Sequence, residues 1–119
     1  MYEKNAIVHK SKDFAVRIIN LNKYLNSQHK EYVLSKQILR SGTSIGANVK
    51  ESLRGQSRAD FYSKMNIALK EASETEYWLE LLYETGYLDS MAYKSINKAC
   101  QELLKLLVSI VKSKSRYQS

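Results

Sequence analysis

Not one of the chain's 119 residues is proline, and only four are glycine. Proline costs about 3 kcal/mol inside a helix because it removes an N–H donor and its ring clashes with the preceding turn. Average usage would supply roughly six prolines in a chain this long. Their absence leaves long helices uninterrupted and argues against an all-β domain, which needs Gly and Pro in its many turns. At 119 residues the chain is expected to form a single domain over 1–119, large enough for a core without disulfide staples. Its one cysteine excludes an internal disulfide and a Cys-based zinc site, which fits a reducing cytoplasm. The first residues, Met1-Tyr2-Glu3-Lys4-Asn5, hold no apolar signal core. The longest greasy run, Leu103 to Val111, is broken by Lys105 and falls well short of a membrane span. A soluble, unexported protein with no membrane role is expected.

Punctuation falls in three places: Asn26 to Lys30, Gly55-Gln56-Ser57, and Gly86-Tyr87-Leu88-Asp89. The helices predicted between them cover 6–26, 32–54, 58–85 and 90–114. Gly55 and Gly86 each follow an apolar periodic stretch, where a left-handed residue commonly closes a helix. Ser57 with Asp60 has capping-box spacing, and Asp89 or Ser90 can cap the last helix. Short connections make sequential helices antiparallel, so the expected fold is all-α, an up-down-up-down four-helix bundle.

At about 100° per residue, Ile7, Phe14, Ile18, Leu21 and Leu25 line one face of the first helix. Val8, Ala15 and Ile19 line a second, adjacent face. The third helix repeats this: Phe61, Met65, Ala68, Ala72, Thr75 and Leu79 on one side, Ile67, Trp78, Leu81 and Leu82 spread onto another. One bundle core needs only one stripe per helix. The surplus predicts a homo-oligomer, with Val8, Ala15, Ile19, Ile67, Trp78 and Leu81 at the subunit contact. The second helix sets Leu34, Ile38, Ile45, Val49 and Leu53 toward the core, and carries Gly42 and Gly46 mid-helix at about 1 kcal/mol each. With Ser41, Ser44 and Ala47 they form a run of small side chains inviting close helix approach, and Trp78 is a candidate to fill it. Ser113 to Ser119 read as a frayed basic tail.

The net charge of +7 is uneven: residues 1–59 hold eleven basic and four acidic groups, 60–93 two and seven, 94–119 six and one. Lys94, Lys98, Lys105 and Lys112 fall within roughly 40° of one another on the last helix, a line about 27 Å long at 1.5 Å per residue. Lys36, Arg40, Lys50 and Arg54 form a second ridge. Such ridges are either solvated faces or phosphate-backbone contacts, with docking to an acidic partner or membrane surface as a third reading. No zinc finger, RNP-type aromatic motif or KH loop is present to read bases, so any RNA or DNA binding would be independent of sequence.

Catalytic signals are sparse. Neither His9 nor His29 stands three residues after a Glu, as di-iron bundles require, so no metal or cofactor is expected. Glu71 and Glu74 lie between the two apolar faces of the third helix, where an intersubunit ion pair to Arg40 or Lys50 is the simplest role. Cys100 lies near the core stripe without a positioned His. Gly42-Thr43-Ser44-Ile45-Gly46 lacks phosphate-loop spacing, and the Ser-x-x-Lys matches at Ser95 and Ser109 lack their companion motifs. The chain reads as non-enzymatic. Its nine tyrosines, among them Tyr24, Tyr62, Tyr77, Tyr83 and Tyr93, fall mostly off the central stripes, as residues at an interface do.

The stretch Gln37-Ile38-Leu39-Arg40-Ser41-Gly42-Thr43-Ser44-Ile45-Gly46-Ala47-Asn48-Val49-Lys50-Glu51 resembles the signature of bacterial four-helix-bundle proteins encoded in large-subunit rRNA intervening sequences. Ser57 to Phe61, Ile67 to Glu71 and Glu74 to Leu79 agree with it, so the likeness spans nearly the whole chain. The resemblance implies a small all-α subunit assembling as a homopentameric barrel, without known catalytic activity. A related branch, the accessory variability determinants of diversity-generating retroelements, is basic and binds reverse transcriptase and nucleic acid. Nothing in these residues assigns the chain to that branch.

Overall fold

The computed structural model describes residues 2–116, which form four helices: α1 (Tyr2–His29), α2 (Leu34–Ser52), α3 (Arg58–Glu84) and α4 (Ser90–Arg116). The second and third expected turns separate helices as read, but the first is displaced: α1 runs on through Asn26 to His29, and the break falls at residues 30–33. Helix α4 continues through Arg116, so residues 113–116 are helical instead of frayed, and 117–119 lie outside the described residues.

Local chemistry explains the ends. At the start of α2 no side chain of Val33 caps; instead the Glu31 carboxylate accepts from Ser35 N at 3.0 Å. Ser57 accepts from Asp60 N at 3.1 Å and Asp89 from Ala92 N at 2.8 Å, each satisfying an orphan donor of the first turn. Helix α3 ends in a Schellman motif. Gly86 takes φ +87°, its N–H bonds to Tyr83 O, and Tyr87 N bonds back to Leu82 O at 2.9 Å. Gly55 corrects the expectation, because its φ is not left-handed; α2 closes through Leu53, Arg54 and Gly55 N–H groups donating to Lys50, Glu51 and Ser52. The left-handed residue after α1 is Lys30, at φ 54°.

Each helix packs against two others: α1 on α2, α2 on α3, α3 on α4 and α4 back on α1. Later residues of one helix meet earlier residues of the next. Lys10 bonds Glu102 while Arg17 bonds Ser95; Arg40 pairs with Glu74 while Glu51 pairs with Lys64. The result is 51 Å long and 23 by 19 Å across.

The core is made of the first stripes. Ile7, Phe14, Ile18, Leu21, Leu25, Ile38, Ile45, Val49, Met65, Leu79, Leu103 and Leu107 are all buried, each worth roughly 1.5–3 kcal/mol for the side chain removed from water. Three readings change. Leu53 is half exposed: it is the C-cap of α2, still in right-handed helical conformation, and it lines the space between α1 and α2 instead of the core. Leu82 is fully buried within its own bundle, and Tyr62 is buried with its hydroxyl 3.0 Å from Ser113 Oγ.

The glycines of α2 serve α1, and not through Trp78. A Cβ on Gly42 would stand 2.7 Å from Ile18 Cγ1, and one on Gly46 would stand 3.4 Å from Ser11 O. Ile18 fills the place assigned to Trp78, whose indole lies on the opposite flank of α2 and donates to Glu74 at 3.1 Å.

Candidate nucleic-acid interface

The last helix places Ile96, Cys100, Leu103, Leu107 and Ile110 inward. Its opposite face therefore carries Lys94, Lys98, Lys105 and Lys112, all exposed, as the period requires. None of the four makes an ion pair within 4 Å among the described residues. The single acid of α4, Glu102, is taken by Lys10 of α1 at 3.0 Å. That hydrogen bond and the Lys10 charge hold the Glu102 carboxyl below its ordinary range, with smaller contributions from Lys98 and Lys105. The ridge is thus a row of four cations without ion pairs among the described residues, and the one acid of its own helix, Glu102, is engaged by Lys10. Four aligned ammonium groups on a rigid rod can meet successive phosphates of a backbone, and each contact releases counterions.

The ridge on α2 is weaker than its sequence spacing indicates. Lys36, Lys50 and Arg54 are exposed and unpaired by the same measure, but Arg40 is occupied. Its Nη1 donates to Glu71 Oε2 at 3.0 Å and its Nη2 to Glu74. The ion pair expected between subunits thus closes within one chain, because Glu71 and Glu74 face α2 directly. Glu74 also accepts from the Trp78 indole, and Thr75 Oγ1 donates to the buried Ser41 Oγ at 2.8 Å. Three consecutive signature residues, Arg40, Ser41 and Gly42, therefore do three packing tasks: an ion pair to α3, a buried hydrogen bond to α3 and close approach of α1. Thr43, Ser44 and Asn48 return hydrogen bonds to carbonyls one turn back in their own helix. The Arg40 partners were readable from the sequence, but that the pair closes within one chain, and the contacts of Ser41 and Gly42, were not, since these depend on which helix faces meet.

The second apolar stripes are only partly covered in the single chain, with Val8 and Trp78 packed against the core. Ile19 is 39 % and Ile67 38 % exposed; Val8, Ala15, Trp78 and Leu81 are half-buried. Between α1 and α2 runs a groove of about 450 Å³ floored by Ser11, Ala15, Gly46 and Ala47, with Val8 and Leu53 on its walls and Lys12 and Lys50 at its rim.

Cys100 is fully buried and donates to Ala72 O at 3.5 Å. Burial, with a smaller effect from Glu76, pushes its thiol up to about 12, so at neutral pH it stays protonated and is a filler in the core. No three His, Cys, Asp or Glu come together to hold a metal among the described residues. Among them too, no helix is long and apolar enough to cross a membrane.

Comparison with known proteins joins these features. The profile of the 23S rRNA-intervening sequence protein family matches residues 3–109. A crystal structure from Bacteroides thetaiotaomicron, of a protein with unknown function from the S23 ribosomal protein family, is similar with a TM-score of 0.91 and 60 % identity. It covers 92 % of this chain and 98 % of that one. No curated protein matches. The all-α four-helix fold and the profile match over residues 3–109 agree: the chain belongs to the 23S rRNA-intervening sequence protein family.

Proposed function

We propose that this chain is a non-enzymatic, cytoplasmic, homo-oligomeric bundle of up-down-up-down topology that binds RNA or DNA backbones in a ribosome- or ribonucleoprotein-related role. The observation that carries the reading is the α4 ridge: Lys94, Lys98, Lys105 and Lys112 exposed on one face with no carboxylate paired to any of them among the described residues. Lys36 and Arg54 supply secondary contacts. The names of the family and of its structural neighbour, which refer to 23S rRNA and to ribosomal protein, support the same direction. The antiparallel topology rests on pairs such as Lys10 with Glu102 and Tyr62 with Ser113.

Assembly rests on the partly covered faces of α1 and α3, and the family resemblance makes five copies the expected number. Symmetry repeats the α4 ridge once per subunit, which converts a modest charge row into an extended positive surface. The test is a pair of charge reversals, Lys98→Glu with Lys105→Glu. Nucleic-acid binding at low salt should be lost while helicity and assembly persist; retained affinity would contradict the reading.

Exposed Ile19, Val16 and Tyr77 favour a second reading, a protein-interaction scaffold without nucleic acid. In that case the lysine reversals leave function intact, and polar substitution of Ile19 or Trp78 removes it.

A further inference from the structure

The chain carries two faces of opposite character that fit each other and cannot meet within one molecule. The first is the α1/α2 groove, with its floor of small side chains and Lys12 and Lys50 at the rim, neither in an ion pair among the described residues. The second is the outer face of α3. From Glu71 to Tyr93 there is no Lys or Arg, and Tyr77, Glu80 and Glu84 follow at helical spacings of three and four, all exposed. Tyr77 is 54 % exposed. Neither Glu80 nor Glu84 has a cation within 4 Å among the described residues. Their field is felt nearby: burial first, then the charges of Glu80, Glu76 and Glu84, raise the Tyr93 phenol above its ordinary value.

Resting on the assembly reading above, we infer that the subunit contact is heterologous, with the Tyr77 ring of one copy seated in the α1/α2 groove of the next while Glu80 and Glu84 face Lys12 and Lys50. The occupant is a second copy because each face supplies what the other lacks: a bulky ring against a small-residue floor, and two carboxylates against two ammonium groups. The α4 ridge is a poorer mate for α3. Lys94, Lys98, Lys105 and Lys112 supply charge, but the exposed apolar side chains of α4, Met91 and Val108, stand far apart along the helix and form no single apolar middle, which subunit contacts need within a polar rim. A contact between two different faces propagates head to tail and closes into a ring when its rotation allows. It also draws Lys50 out of the nucleic-acid surface and leaves the α4 lysines outside.

The test uses the full chain and sedimentation velocity at micromolar concentration. Lys12→Glu with Lys50→Glu, or Glu80→Lys with Glu84→Lys, sets like charges across the contact and should weaken association roughly 100-fold or more. All four substitutions together restore opposite charges and should reassemble. Ala47→Trp, at an exposed site on the groove floor, should block assembly with helicity unchanged. The face assignment is overturned if the parent assembles and either reversed pair still does, if a helical fourfold variant stays monomeric, or if Ala47→Trp assembles normally. A monomeric parent instead overturns the assembly reading beneath it.

Discussion

The Cβ that Gly42 lacks would stand 2.7 Å from Ile18 Cγ1, inside the distance any real contact tolerates, whereas that of Gly46 would meet Ser11 at 3.4 Å. Two glycines one turn apart in the same helix thus have opposite worth. Ile18 is fully buried and packed from all sides, so it cannot retreat. Gly42→Ala gains about 1 kcal/mol in helix propensity but should lose more to overpacking, for a net destabilisation of about 1–2 kcal/mol. Gly46→Ala should be neutral or stabilise by up to about 1 kcal/mol. Urea midpoints of the two variants check this, and a stabilised Gly42→Ala would contradict the close approach.

Arg40 spends its guanidinium on Glu71 and Glu74, so it should matter little to ligand binding. Its side chain is 51 % exposed, and solvent screening limits the pair to about 1 kcal/mol or less of stability. Arg40→Gln should leave nucleic-acid affinity within about twofold, while Lys98→Gln with Lys105→Gln should weaken it at least roughly tenfold. Fluorescence anisotropy with a labelled RNA duplex compares them. Equal losses would return Arg40 to the binding surface.

The Cys100 thiol, pushed up to about 12 by burial, should resist alkylation in the native state at pH 8 and react at the free-thiol rate in denaturant. Because the folded pKa lies above the unfolded one, the associated stability is fully present below about pH 8.5 and is lost as pH rises toward 12. Native labelling as fast as denatured labelling would show that the thiol is accessible.

Gly86 and Lys30 are both left-handed, and only one of them is glycine. Gly86→Ala should cost about 1–2 kcal/mol, since a Cβ strains that conformation even though nothing lies within 4 Å of it. Lys30→Gly should relieve the same strain and stabilise by up to about 1 kcal/mol. Thermal denaturation reads both, and equal effects would argue against the backbone explanation.

The period of the apolar residues made most of the fold legible, because Ile7, Phe14, Ile18, Leu21 and Leu25 can share a face only on a helix. The same count misplaced Leu53, which sits at the C-cap of α2 and lines the α1/α2 groove instead of the core. Gly55 looked like the left-handed closer, while Lys30, which carries no sequence signal for it, holds that conformation. The α4 ridge was readable because all four lysines lie on one helix. A pairing of Glu71 and Glu74 with Arg40 was readable too, but its closing within one chain was not, because that depends on the register between α2 and α3, more than thirty residues apart.

Binding to backbone phosphates is tested most directly by the affinity of the native assembly for an RNA duplex and a DNA duplex between ~50 and ~200 mM salt. Log affinity should fall linearly and steeply with log salt, by roughly 10³-fold or more for six or more phosphate contacts. Absence of binding at ~50 mM salt, or an affinity unmoved across that range, would contradict the account.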